Sequence, residues 1–232
     1  MAVAPVLADW DPGDPYKMHY PQLPDPTGID VSFRTPEVLA DDWLCSETGP
    51  VSDIHFWFSA QNDAQPQIFN VNVSIYSDIP QGPVNPFSMP GNLLWQRDFG
   101  PDDFTWRWAG DGQQGWLVPE NGTYVPQDHF HYYQMNIEDI VDPFVQTANE
   151  MYWLGISVSS ETPLGWKSAF TAQQFLGTTT WGNLPNPDWQ PVYDPRFPAL
   201  IVVPLDLAFV ITPEPGTIAM FGFLGLAAFR RR

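Results

Sequence analysis

Apolar and polar residues alternate with a period of two along several stretches, the mark of strands with one buried face. The cleanest set places Phe69, Val71, Val73 and Ile75 against Asn70, Asn72, Ser74 and Tyr76. Ile54, Phe56 and Phe58 alternate with His55 and Trp57, and Tyr152, Leu154, Ile156 and Val158 with Trp153, Gly155 and Ser157. Leu205, Leu207, Phe209 and Ile211 form the last such set. Weaker patterns cover 29–34, 39–45, 93–99, 104–108, 129–137, 165–171 and 178–181. Turn-rich stretches separate them: 78–91 with four prolines, the glycine-rich 110–115, and 184–198 with five prolines. Helical spacing is nearly absent, and residues 138–146 allow one turn, interrupted at Pro143. About ten or eleven short strands with polar loops predict an all-β chain, an antiparallel β-sandwich of jelly-roll type.

A chain of 232 residues suits one such domain, expected over 9–212, with no internal repeat and no second domain. Residues 9–27 hold five prolines and are expected as an extended arm laid on the surface. Proline, at 26 positions, lacks the N–H that helix interiors and central strands need, so it reinforces the all-β reading. The formal net charge of −18 excludes nucleic acid, whose phosphates need clustered Lys and Arg, and disfavours anionic lipid surfaces. It suits a solvated extracellular protein, or one that binds cations. The single cysteine, Cys45, forbids an intrachain disulfide and reads as a small buried hydrophobe.

The two ends carry the clearest address. Pro213-Glu214-Pro215 precedes Gly216, an apolar run over 217–229, and then Arg230, Arg231 and Arg232. This order resembles the PEP-CTERM sorting signal, over 213–232. The fourteen residues 216–229 would form a short C-terminal hydrophobic helix of about 21 Å. A bilayer core needs about 30 Å, so the helix would be a marginal anchor with its arginines on the cytoplasmic side. The resemblance implies an exosortase-type membrane sorting enzyme as partner, with only transient residence in the inner membrane. At the other end, Val6-Leu7-Ala8 supplies the small residues that signal peptidase needs before Asp9. Residues 1–8 are therefore expected as the remnant of a signal peptide, on a chain that is exported to the cell surface or beyond.

The body also resembles an uncharacterised all-β family found in exported bacterial proteins with PEP-CTERM tails. The likeness runs over roughly 25–212 and rests on several segments. They include Leu39-Ala40-Asp41-Asp42-Trp43-Leu44-Cys45, Ser52-Asp53-Ile54-His55-Phe56-Trp57 and Ile75-Tyr76-Ser77-Asp78-Ile79-Pro80. Others are Pro90-Gly91-Asn92-Leu93-Leu94-Trp95, Tyr152-Trp153-Leu154, Gly165-Trp166-Lys167 and Asp206-Leu207-Ala208-Phe209. The resemblance implies a scaffold and brings no activity with it.

No phosphate loop, His-Glu-x-x-His, paired-cysteine motif or Gly-x-Ser-x-Gly is present, so neither a catalytic residue nor a cofactor is assigned. His129 and His131 share one face of a strand, a conceivable chelating pair that still needs a third ligand. Asp41 and Asp42 point to opposite faces, which leaves one buried and hydrogen-bonded and the other solvated. Calcium is the ion such a pair could take, helped by Asp53 or by the Asp102-Asp103 loop; a glycosidase carboxylate pair is the enzymatic alternative. Among the aromatics, Trp106 and Trp108 alternate with Arg107, while Trp116, Trp181 and Trp189 fall in or beside turn-rich segments; core packing is the ordinary role of any of them. Trp181 and Trp189 lie beside loops, where flat rings stack on sugars. The expectation is a non-catalytic binding or structural β-protein whose ligand is extracellular polysaccharide or a neighbouring protein, with an extracellular glycan hydrolase as the alternative.

Overall fold

The computed structural model describes residues 9–170, 172, 175, 177–197 and 202–213. The expected hydrophobic helix, the basic cluster and residues 1–8 lie outside them. No α-helix occurs among the described residues, and none of their segments is a helix long and apolar enough to cross a membrane.

The chain is all-β. Alternation locates the strands well: β1 (Ile29–Ser32), β2 (Glu37–Leu44), β4 (Asp53–Ala60), β5 (Ile68–Ile79), β6 (Met89–Phe99) and β10 (Met151–Ser160) fall where the pattern places them. So do β11 (Leu164–Lys167), β12 (Thr180–Asn183) and the final β14 (Phe209–Thr212). Two-residue pieces, β3 (Gly49–Pro50), β9 (Val145–Gln146) and β13 (Gln190–Pro191), fill loop regions, and a single 3-10 turn covers Gln61–Asp63.

Three expectations are corrected. The glycine-rich 110–115 is no turn: it lies inside β7 (Thr105–Val118), which pairs with β8 (Thr123–Ile137). Its glycines admit close neighbours instead, since a Cβ on Gly112 would lie 1.8 Å from the Pro26 carbonyl oxygen. The turn of helix over 138–146 is absent, and that stretch ends in β9. The arm is not laid on the surface: Met18 and Gln22 are fully buried, and Trp10 packs edge-on against Trp57 at 6.0 Å between ring centroids. Covered by the arm, β4 is buried on both faces, so its alternation predicts a strand without marking an outer side.

Two six-stranded sheets share one hydrophobic core. One has the order β13-β12-β2-β10-β5-β6 and is antiparallel. The other has the order β11-β1-β7-β8-β4-β14, and β11 also pairs with β4, closing five strands into a ring. Within that ring β1 and β7 run parallel, unlike the antiparallel sandwich expected from short strands with polar loops. Large aromatics fill the shared core: Phe33, Phe56 and Trp166 cluster with Phe209, which meets Trp43 of the opposite sheet at 6.3 Å. The Trp166 indole N–H donates to the Ala208 carbonyl, so this ring is buried without an unpaired donor.

Candidate functional site

β12 is four residues long and pairs with β2 along 37–40, placing Asn183 opposite Glu37 at the end of the sheet. Two clefts meet at Asn183. One, of about 360 Å³, is lined by Trp181, Gly182, Asn183, Asn186, Asp188 and Gln190. The other, of about 370 Å³, brings Arg34, Glu37, Gln61, Trp116 and Glu120 to the same asparagine. The Pro187 ring packs close over Gly182, where an added Cβ would come within 2.6 Å of it.

The first cleft offers an aromatic ring framed by side-chain amides and a carboxylate. That combination stacks on the C–H face of a sugar and hydrogen-bonds its hydroxyls. Two carboxylates, Glu37 and Glu120, line the second cleft. Burial pushes the Glu37 carboxyl up, the Ser32 hydroxyl bond 3.2 Å away pulls it down, and the Glu120 charge pushes it up again; the net result is upward. The sequence reading missed Glu37, Glu120, Asn183 and Asn186, because ordinary polar residues gain meaning only when the sheet edge gathers them.

Trp181 lies within β12, half-buried, packed in part against the main core and lining the first cleft. Trp189 does not join it: its ring packs edge-on against Tyr76 at 5.5 Å, on the small cluster of Ala40, Tyr76 and Trp153. Trp116 is buried, whereas Trp108 is 59% exposed with its indole N–H donating to Asp111. Pro213 closes the described chain just after β14; Glu214, Pro215 and Arg230, Arg231 and Arg232 lie outside the described residues.

The acidic and histidine candidates separate. His131 is exposed and pairs with Asp111 at 2.7 Å, while His129 is buried between Asp30 (3.0 Å) and Asp128 (3.1 Å). They form no chelating pair, and the β7–β8 ladder shifts register between Asp111 and Gln114. Asp41 and Asp42 are both buried, so neither is the solvated partner expected. Asp41 accepts the Leu207 N–H, Asp53 the Asp139 N–H at 2.8 Å, and Asp103 the Gly100 N–H at 2.9 Å. These carboxylates thus serve separate backbone groups, and no trio of acidic, His or Cys side chains among the described residues is arranged to hold a metal ion. The neighbour that matters to Asp41 and Asp42 is Asp206. Burial first, and then its charge, push both carboxyls well above the usual range, and Asp206 itself is raised to about 7 by burial. Cys45 is buried, and its thiol donates to the Glu47 carbonyl.

Inside the five-strand ring lies a polar layer that no motif announced. Each strand supplies one buried member: Asp30 from β1, Ser59 from β4, Gln114 from β7, His129 from β8 and Lys167 from β11. Asp30 and Lys167 stand opposite each other in register, with Nζ to Oδ2 at 3.5 Å. Lys167 Nζ also donates to Gln114 Oε1, which accepts from Ser59 Oγ at 3.3 Å. Burial pulls Lys167 down against the Asp30 charge. It pushes Asp30 up, but Lys167 and His129 outweigh it and hold that carboxyl low. His129 is held above its ordinary value, because its two carboxylate partners outweigh burial.

An all-β molecule with an aromatic and polar cleft at a sheet edge, and a polar layer sealed inside a strand ring, is the class these features define. The chain belongs to the family described as domain of unknown function (DUF7901), whose profile matches residues 18–212. Comparison with curated proteins and with solved structures returned no match.

Proposed function

We propose that this is an exported, non-catalytic glycan-binding protein, built on a jelly-roll-like sandwich, that takes extracellular polysaccharide in the Trp181 cleft. The observation that carries the reading is the cleft itself, where one aromatic ring stands among Asn183, Asn186, Asp188 and Gln190 at the open end of β12. The net charge of −18 favours a neutral or cation-bridged glycan over a polyanion. The Pro213-Glu214-Pro215 tail supports delivery by an exosortase-type enzyme to the cell surface, after transient residence in the inner membrane.

Affinity electrophoresis through gels containing the host's extracellular polysaccharide tests it. Ring stacking worth about 0.5–1.5 kcal/mol makes Trp181→Ala weaken binding by about two- to tenfold. Trp189→Ala, which alters packing on Tyr76, should leave retardation largely intact. A folded wild-type protein that migrates unretarded ends the proposal.

The Glu37–Glu120 pair favours a second reading, a glycan hydrolase with Glu37 as the protonated acid and Glu120 as the carboxylate. Release of reducing ends, lost in Glu37→Gln with binding retained, would support the hydrolase over the binder.

A further inference from the structure

The layer inside the strand ring brings together the groups an amide exchange needs. Lys167 Nζ touches the Gln114 carboxamide oxygen, and the Gln114 amide nitrogen is pinned to the Phe130 carbonyl at 3.0 Å. Ser59 Oγ lies 3.3 Å from the same carboxamide oxygen, within hydrogen-bond reach, and its hydroxyl also bonds the Asp30 carboxylate. Asp30 Oδ2 sits 3.5 Å from the lysine nitrogen, and Asp30 Oδ1 is buried without a hydrogen-bond partner. His129 bridges Asp30 and Asp128 and so fixes the Asp30 carboxylate in place. The Tyr132 ring lies 5.1 Å from Nζ, and Trp116 packs edge-on against His129 at 5.9 Å, which completes a dry enclosure. Close packing of this kind supplies the proximity that makes weak nucleophiles react with weak electrophiles.

We propose that Lys167 and Gln114 form an intramolecular isopeptide bond, made by the protein itself with Asp30 as proton carrier. Lys167 Nζ passes a proton to the Asp30 carboxylate, and the freed amine adds to Gln114 Cδ. Negative charge gathers on Oε1, where the Ser59 hydroxyl donates to it. Asp30 hands its proton to Nε2, the Cδ–Nε2 bond breaks, and ammonia leaves. The surplus proton on Nζ returns to Asp30 and departs with the ammonia as ammonium. An amine and a primary amide thus become a secondary amide and ammonia, with no oxidant or cofactor. His129 is a positioning residue, since it touches Asp30 and neither reacting atom.

The bond would tie β11 to β7 across β1, locking the ring in a chain whose single cysteine allows no internal disulfide.

Mass spectrometry of the purified full chain reads the outcome directly. The folded wild-type protein should weigh about 17 Da less than its sequence, the mass of the ammonia released. Cleavage at glutamate should leave peptide 48–120, which carries Gln114, joined to the peptide that starts at residue 162 and carries Lys167. Lys167→Met should restore the sequence mass, and folded Asp30→Asn, checked by near-ultraviolet circular dichroism, should remain unlinked. Separate peptides from folded wild-type protein would overturn the proposal. So would a loss of about 18 Da with the branch at Asp30, which marks loss of water and a lysine–aspartate bond instead.

Discussion

Asp206→Asn is expected to stabilise the protein at neutral and alkaline pH while changing little in mild acid. Asp206 is raised to about 7 by burial, and Asp41 and Asp42 are pushed up with it by burial and by its charge. In the unfolded chain these carboxyls titrate near about 3.9. Between those values these carboxyls hold protons in the folded protein that the unfolded chain has lost, so the stability they contribute is complete in acid and is lost as pH rises through about 7. A shift of about three units on Asp206 alone corresponds to about 4 kcal/mol, an upper bound because local water and side chains relax around a buried charge. The asparagine carries no charge at any pH, and its Oδ1 can still accept the Phe175 N–H that Asp206 now receives. Urea unfolding followed by circular dichroism from about pH 4.5 to 8.5 should give a gain of about 2–4 kcal/mol for Asp206→Asn at the alkaline end, and near zero at the acid end. The protein as a whole carries −18, and that charge also repels itself more as pH rises. Asp102→Asn, at an exposed loop position, measures this general part. Wild-type stability that climbs between pH 5 and 8 would refute the reasoning, as would an alkaline gain for Asp206→Asn no larger than that of Asp102→Asn.

Other consequences follow from the arm. Gly112→Ala would drive a methyl group into the Pro26 backbone, with 1.8 Å to the carbonyl oxygen, and should cost about 1–3 kcal/mol in urea unfolding. Gly82→Ala, where a Cβ meets nothing within 4 Å, should be near neutral in the same measurement. A chain starting at Leu23 loses the buried Trp10, Met18 and Gln22, and with them the Trp10 carbonyl that accepts from Arg107 and Gln134. Burial of the two apolar side chains is worth about 3–6 kcal/mol, comparable with total domain stability of about 5–15 kcal/mol, so the shortened chain should show no cooperative thermal transition. A native-like near-ultraviolet spectrum from that chain would show the arm to be dispensable.

Strand positions were legible because a pleated strand repeats every two residues, and that period survives in sequence wherever one face is buried. The set at Val71, Val73 and Ile75 is fully buried as its alternation requires, whereas Phe69, near the strand's start, is 55% exposed. Where both faces are covered, as in β4, periodicity gives the strand and conceals its orientation. Glycine misled at 110–115: its lack of a side chain can serve a turn or a close approach, and local sequence does not say which. Here Gly110 and Gly115 admit the Tyr132 and Tyr124 rings, and Gly112 admits the arm. Trp181 sits inside β12, and its neighbours at the cleft drew no notice, because Asn183, Asn186 and Asp188 look like common turn residues.

The sequence alone determined an all-β chain, short strands punctuated by proline, a single cysteine and a strong acidic imbalance. Each follows from local periodicity or from composition, which need no knowledge of partners across the fold. Tertiary structure decided the ring closure through β4 and β11, the parallel pairing of β1 with β7, and the burial of the arm. It also decided the chemistry. Asp30, Ser59, Gln114, His129 and Lys167 are scattered over more than a hundred positions, and each reads alone as an ordinary polar residue in a strand. Only closure of the ring strips water from all five together, and in that dry interior their charges and hydrogen bonds must answer to one another.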